Sequence, residues 1–277
     1  RHDIYEIIGY IKKCGMSCHL CTNGTLLEDH AVERLKASGV GSVSVSLDSV
    51  RAGVHNRLRG FDCFDSVVRG IRRLRQNIPG VRIGINCMIT KANIDGIEDM
   101  LPFAQSLGAD QIKFDVIHTH LMHRRKHIGS FQGLLFGNSD MAELRGAVKR
   151  LEAAAVSSPL LTNSLTFIRG MGLMNVPGAR RLPCYAGYHS CSINPYGFVS
   201  ACSNQDGTQS VRDSSLEDIW RSAAFREQRL YAMRCRERCW NSTYGELNIR
   251  CSLRHAAGEW RQVMREFDYY RSGVTKG

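Results

Sequence analysis

What most limits the possible folds of this chain is the spacing of four short apolar runs in its first 120 residues. They begin at Met16, Ser42, Arg82 and Gln111, separated by 26, 40 and 29 residues. Helix-like stretches lie before and between them. Ile4, Ile7, Ile8 and Ile11 share a face over residues 3–13, as do Ala31, Val32, Leu35 and Ala37 over 30–38. Val67, Val68, Ile71 and Leu74 do the same over 64–78, and a further helix is expected over 94–107. Strand, helix and strand at this interval is the length of a βα unit, whose parallel strands need a right-handed crossover. Runs 16–22, 42–47, 82–89 and 111–117 are therefore expected to form a parallel sheet covered by helices. Polar residues collect where each run stops: Thr22 and Asn23, Ser46 and Asp48, Asn86 and Thr90, Asp115 and His118. In parallel α/β folds these C-terminal strand ends carry the chemistry.

The second half has another texture. A helix over 141–156 leads into a Gly- and Pro-punctuated connection across 159–183. Six of the 11 Cys then fall between Cys184 and Cys251, among short strand-like runs and turns, before an amphipathic helix over 259–270. An odd cysteine count in a chain of 277 residues does not fit a secreted disulfide framework. A reducing, cytoplasmic compartment with thiolate-bound metal fits better. The net charge of +11 comes from 37 Lys and Arg scattered over helices. Their densest cluster, Arg124-Arg125-Lys126, lacks interleaved aromatics, so nucleic acid is not the expected partner. No apolar run approaches the roughly 18 residues of a membrane span, and no membrane association is expected. The chain opens on Arg1 and its first Met is Met16, so it reads as a piece that has lost its natural start.

Two cysteine groups invite a metal reading. Cys14, Cys18 and Cys21 spell C-x3-C-x2-C, the spacing of a [4Fe–4S] loop with one open iron. The local pattern argues against it. Cys14 falls at a helix end, and Cys18 and Cys21 are three apart in an expected strand, which sends them to opposite faces. Thr22-Asn23-Gly24 closes that strand at once and leaves no loop to wrap a cluster. The second group is stronger. Cys184, Gly197 and Cys202 form C-x12-G-x4-C around Asn194-Pro195-Tyr196-Gly197, a turn signature that predicts a hairpin. Cys235-x3-Cys239 adds a second pair, so four thiolates are available for zinc or an iron–sulfur cluster. Burial as small apolar residues is the plainer reading of each Cys, but six within 68 residues speak against it. His118, His120, His123 and His127 follow the fourth strand, as a metal site, a substrate-contacting loop or a plain exposed loop. Arg124, Arg125 and Lys126 beside them oppose a cation.

The run Thr22-Asn23-Gly24-Thr25-Leu26-Leu27, then Val45-Ser46-Leu47-Asp48-Ser49 and Arg57-Leu58-Arg59-Gly60, resembles radical S-adenosylmethionine (radical SAM) enzymes. The later C-x12-G-x4-C and C-x3-C resemble the twitch domain, a shortened SPASM domain, that follows the radical core in many of them. The resemblance covers the chain from the first helix to about Cys251. It implies an α/β fold, a partial (β/α)6 radical SAM barrel with about four βα units, followed by a small Cys-rich twitch/SPASM-like domain. The divisions it implies are 1–156 for the barrel, 157–182 for a linker, 183–255 for the cluster domain and 256–277 for a C-terminal helix. In the family a C-x3-C-x2-C loop follows the first strand and a GGEP-like turn the second. This chain starts with the next helix, so that loop is expected upstream of Arg1, and Cys14, Cys18 and Cys21 stand where the family has no ligands.

The resemblance implies an oxidoreductase or maturase-like enzyme, inactive as this chain by itself. It would cleave S-adenosyl-L-methionine to a 5′-deoxyadenosyl radical that takes a hydrogen from a peptide, sugar or small metabolite. A reductant such as a flavodoxin or ferredoxin is the implied partner. The implied cofactor-facing positions are Thr22, Asn23, Ser46, Asp48 and Asn86, with Arg59 for the cofactor carboxylate. The plainer readings are that Asp48 caps a turn and that Arg59 is a surface residue. Cys184, Cys202, Cys235 and Cys239 are the implied ligands of one auxiliary [4Fe–4S] cluster, with Cys191 and Cys251 spare. The competing reading is a non-catalytic binding module whose Cys-rich domain holds structural zinc.

Overall fold

The apolar stripe at the start of the chain becomes helix α1 (Ile4–Lys13), which buries Ile8. In the computed structural model, which describes residues 2–117, 133–173, 182–235 and 240–271, the alternation then continues as read. Strand β1 (His19–Thr22) leads to α2 (Asp29–Ser38), β2 (Ser42–Ser46), α3 (Ala52–Arg59) and α4 (Phe64–Asn77). After these come β3 (Arg82–Ile89), α5 (Met100–Ser106), β4 (Gln111–Val116), α6 (Met141–Ser157) and α7 (Leu165–Met171). The four strands lie in the order β1-β2-β3-β4, every neighbour parallel, so the α/β half-barrel is present.

Strand periodicity divides the sheet cleanly. Val43, Val45, Ile83, Ile85, Ile112 and Phe114 are buried beneath the helices, each worth about 1.5–3 kcal/mol of transfer free energy. The other face is polar: Cys21, Ser44, Gly84 and Gln111 lie in one cross-strand row, and Ser46, Asn86 and Lys113 in another. Helix α4 answers the apolar face with Val67, Ile71 and Leu74, all buried, and turns its arginines outward.

The small domain opens with an antiparallel sheet of β5 (Ser192–Ile193), β6 (Phe198–Ser200) and β7 (Gln209–Ser210). Helices α8 (Leu216–Arg221), α9 (Ala223–Arg234), α10 (Ser242–Arg250), α11 (Leu253–Gly258) and α12 (Trp260–Arg271) follow. Helix α12 returns to the polar face of the barrel sheet. Tyr269 Oη donates to the Arg82 carbonyl at 3.2 Å, and Glu266 pairs with both Lys113 of β4 and Arg250 of α10.

Three expectations need correction. The first strand starts at His19 rather than Met16, because Gly15, at φ 71°, ends the preceding turn and the chain needs three more residues to reach the sheet. The helix expected over 94–107 is a 3-10 turn at Ile97–Asp99 running into the shorter α5. The region after Pro183 is largely helical instead of strand and turn, with α8, α9 and α10 between the hairpin and Cys251. Finally, within the stretch expected to link the domains, residues 157–173 also pack on the barrel. Leu161 bridges Ile112 in parallel, and Phe167, Ile168 and Met171 of α7 are buried in the barrel's own core.

Candidate functional site

The strand ends carry a fixed polar cluster. At the end of β2, Ser46 lies beside Asn86, and the Leu47 N–H donates to the Asn86 carbonyl at 3.0 Å. The next residue, Asp48, is 3% exposed. Its Oδ1 accepts the Met88 N–H at 3.0 Å and its Oδ2 meets Arg59 Nη2 at 2.7 Å. Asn93 Nδ2 donates to the Asp48 carbonyl at 2.6 Å, and the Asp48 N–H donates to His55 Nδ1 at 3.2 Å. Burial pushes the Asp48 carboxyl up, opposed by the Arg59 guanidinium. Burial, then Arg59, brings His55 down to about 4, so the ring is neutral and its Nδ1 can accept. Both Asp48 oxygens are thus taken by the protein, and Arg59 is the ion-pair partner of a buried carboxylate rather than a loose surface residue. His55 Nε2 and Arg59 Nε are buried without a hydrogen-bond partner.

The first strand end is organised differently. Thr22 falls by register on the helix-covered face with Val45, and its Oγ1 accepts the Gly24 N–H at 3.1 Å. Asn23 Oδ1 accepts from the Thr25 N–H at 3.2 Å and from its hydroxyl at 3.0 Å. Gly24 has φ 82°, and a Cβ there would stand 2.6 Å from Val45 Cγ1, so the turn admits only glycine. Ser46, Asn86, Asp48 and Arg59 are therefore gathered at the ends of β2 and β3, whereas Thr22 and Asn23 shape a separate turn.

Cys14, Cys18 and Cys21 do not converge. Cys14 caps α1 and is exposed, Cys18 packs on the core, and Cys21 is exposed on the polar face. Among the described residues no group of three His, Cys, Asp or Glu is placed to hold a metal ion. The four histidines after β4 lie outside the described residues.

The C-terminal cysteines behave otherwise. The predicted hairpin forms: Ile193 pairs with Val199, and Asn194 Oδ1 accepts the N–H groups of Tyr196 and Phe198 at 2.9 and 3.0 Å. This turn brings the chain back so that Cys202 packs against Cys184, Ala186, Ala232 and Tyr244. Helix α9 stops at Cys235, and Cys202 lies within electrostatic reach of both Cys184 and Cys235. Cys202 is thus the neighbour of two other expected thiols, Cys184 and Cys235; Cys239 lies outside the described residues. Burial raises the Cys202 thiol, and hydrogen bonds from the Asn204 N–H and the Tyr244 hydroxyl oppose it. Cys191 packs in another cluster, beside Val199, Ala201, Ile219 and Phe225, and Cys251 is exposed at the end of α10.

Two features near the thiols carry no sequence signature. Trp240 stacks on Phe167, and its Nε1–H donates to the Phe167 carbonyl at 2.6 Å. Asp115, at the end of β4, holds the start of α10. It accepts the Ser242 N–H at 2.8 Å and the Ser242 hydroxyl at 2.6 Å. Burial brings the Asp115 carboxyl up to about 6, opposed by the Ser242 bonds and Lys113. The chain just beyond the cysteine pair is therefore fastened to the barrel at two points.

A parallel half-barrel with polar strand ends, tied to a small domain that gathers thiols, defines an α/β protein of cofactor chemistry. Comparison with known proteins makes the class specific. Residues 1–104 match the Radical SAM superfamily model, and residues 184–241 match SPASM, an iron-sulfur cluster-binding domain. Residues 1–104 are thus similar to the radical SAM superfamily, and residues 184–241, behind the half-barrel, to the SPASM domain. Mycofactocin maturase MftC of Mycolicibacterium smegmatis is 26% identical over 235 residues, covering 83% of this chain and 57% of that protein. The AdoMet-dependent heme synthase of Nitratidesulfovibrio vulgaris is 36% identical over 110 residues, 39% of this chain and 29% of that protein. Among solved structures, Streptococcus suis SuiB bound to its precursor peptide SuiA aligns with a TM-score of 0.60 at 16% identity, over 80% of this chain and 52% of SuiB. The chain thus spans little more than half of the length of the maturase and of SuiB.

The two domains imply S-adenosyl-L-methionine and iron–sulfur clusters as cofactors. The residues fit both groups. Arg59, paired with Asp48 after β2, offers a buried, unpartnered Nε–H, and Cys202 packs against Cys184 within electrostatic reach of Cys235, with the Asn204 N–H donating to its sulfur at 3.4 Å. No helix among the described residues is long and apolar enough to cross a membrane.

Proposed function

We propose that the full-length protein is a radical SAM enzyme acting on a peptide, with one auxiliary [4Fe–4S] cluster held by Cys184, Cys202, Cys235 and Cys239. The observation that carries this reading is the packing of Cys202 against Cys184 and Tyr244, with Cys235 within electrostatic reach of Cys202. The cofactor, when bound, supplies one-electron cleavage of its sulfonium C–S bond to methionine and a 5′-deoxyadenosyl radical, which takes a hydrogen atom from the substrate. Ser46 and Asn86 supply a hydroxyl and an amide for its ribose or amino group. Arg59, pre-set by Asp48, offers a guanidinium edge to its carboxylate. Asn23 shapes the turn that borders the site, and Thr22 braces that turn from the helix side. A reductant of the flavodoxin or ferredoxin kind supplies the electron.

One consideration favours this over structural zinc: the SPASM model, an iron-sulfur cluster-binding domain, covers the thiol region. The peptide is favoured over a sugar because the relative that covers most of this chain is a maturase, and SuiB holds a precursor peptide in the same fold.

The test is anaerobic reconstitution of the full-length protein with iron and sulfide. The holoprotein should hold about eight iron atoms, two [4Fe–4S] clusters, and form 5′-deoxyadenosine with cofactor and reductant. Cys202→Ala should lower the iron to about four and remove the auxiliary electron paramagnetic resonance (EPR) signal. An intact auxiliary signal in Cys202→Ala, or a colourless protein that holds zinc, overturns the assignment.

A further inference from the structure

Trp240 directly follows Cys239 in the sequence, and its side chain packs on the core of the barrel. The indole stacks on the buried ring of Phe167 in α7, with centroids 5.5 Å apart and planes at 15°. Its Nε1–H donates to the Phe167 carbonyl at 2.6 Å. Gly170, one turn further along α7, makes this seat possible. A Cβ there would stand 2.6 Å from Nε1 and closer still to Cζ2 and Cε2 of the same ring. Glycine is needed at 170 for space, since any side chain would occupy the place of the indole.

The chain beyond Trp240 is fastened to the same body. Asp115 of β4 accepts both the N–H and the hydroxyl of Ser242. Gly245 of α10 also comes against Phe167, where an added Cβ would lie 2.9 Å from Cε2. Glu246 Oε1 accepts the Ser164 N–H, at the start of α7, at 2.9 Å, and Ile249 is part of the barrel core. On the near side of the cysteine pair the packing is different. Cys202 packs with Cys184 and with Ala232 of α9, and that helix stops at Cys235. The pair therefore spans a boundary: α9 leads into it from the small domain, and Trp240 leads out of it into the barrel.

Residues that orient metal ligands matter nearly as much as the ligands, and losing one typically costs about 10–100-fold in affinity. We propose that Trp240 is a positioning residue: seated on Phe167 and Gly170, it fixes the end of the cysteine pair, so that the auxiliary cluster forms against the barrel and not within the small domain alone. The proposal rests on the assignment of Cys184, Cys202, Cys235 and Cys239 as cluster ligands. It adds α7, a helix outside both matched regions, to the support of the cluster.

The experiment is anaerobic reconstitution of the full-length protein, with iron counted per folded protein, the auxiliary EPR signal recorded and a chelator then titrated in. Gly170→Ala drives a methyl group into the indole and should lower the iron from about eight to about four, losing the auxiliary signal and keeping the other cluster. Trp240→Phe leaves a ring on Phe167 and makes room, so adding it to Gly170→Ala should restore the auxiliary iron. Trp240→Ala empties the seat without a clash and should give up auxiliary iron at about 10–100-fold lower chelator concentration than the parent. It also decides the matter where Gly170→Ala fails to fold. Parent-like chelator resistance in Trp240→Ala overturns the role of Trp240 while the ligand assignment stands, and so does a double variant no better than Gly170→Ala. A parent protein without an auxiliary signal overturns the assignment and the proposal together.

Discussion

Asp48 shows how a carboxylate at a strand end can be fully occupied by the protein itself. It is buried, its Oδ1 is occupied by the Met88 N–H, and its Oδ2 directs Arg59. The pair exists because a carboxylate buried alone would be heavily penalised, and Arg59 is the cation that α3 brings to it. Removing one partner strands the other, so Arg59→Met should destabilise the protein by about 3 kcal/mol in urea unfolding. Arg59→Lys should recover part of that loss, because an ammonium restores charge but not the planar fork. A cation that served only the cofactor would leave unfolding unchanged in both variants, and that result would sink the structural role. His55 belongs to the same unit: neutral and fully buried, it accepts the Asp48 N–H and keeps the bend after β2 closed.

Helix α12 comes close to the barrel sheet at one glycine. Tyr269 reaches the polar sheet face at Gly84, where an added Cβ would lie 2.5 Å from Ser44 Oγ, 3.0 Å from Tyr269 Oη and 3.1 Å from Gln111 Nε2. Gly84→Ala should therefore lift α12, at a cost of about 1–3 kcal/mol typical of overpacking. Limited proteolysis should then cleave near residue 260 earlier than in the parent; an unchanged cleavage pattern would refute the contact. Such a contact is invisible to sequence reading, since Gly84 and Tyr269 share no local pattern. What was legible had a period. The four strands showed because Val43, Val45, Ile83 and Ile85 alternate with small or polar neighbours, and α4 because one full face is apolar. Helix α3 buries His55 and α9 buries Phe225 and Ala232, so neither carries a readable stripe. The approach of Cys202 to Cys184 was legible because a turn signature lies between them. Tyr244 was not, because no pattern flags a ring that packs on them from another segment.

At the scale of the whole molecule, acid response follows from where the histidines sit. The ring of His19, the first residue of β1, lies against the rings of Tyr269 and Tyr270 of α12, with Nδ1 2.7 Å from Ser42 Oγ. Burial, then Lys113, lowers it to about 4, and burial, then Arg59, lowers His55 to about 4, both from an ordinary 6.5. The unfolded chain therefore takes up protons on both histidines below pH 6.5 that the fold refuses, and stability falls as pH falls. Asp115 acts in the opposite sense. Its folded value near 6 lies above the ordinary 3.8, so between these values the fold binds a proton that the unfolded chain does not. Acidification through that window returns stability, and Asp48 and Glu246, both raised chiefly by burial, add to the same side. The windows overlap only in part, because the histidines begin to titrate before the carboxylates. The thermal midpoint should thus fall from pH 7 through pH 5, with the carboxylates opposing the histidines below about pH 6. His19→Gln should weaken that fall throughout the interval between 6.5 and about 4, since the folded ring stays neutral across it. A midpoint constant from pH 7 to 6 would mean that neither histidine is kept neutral by the fold, and with it would go the docking of α12 over His19.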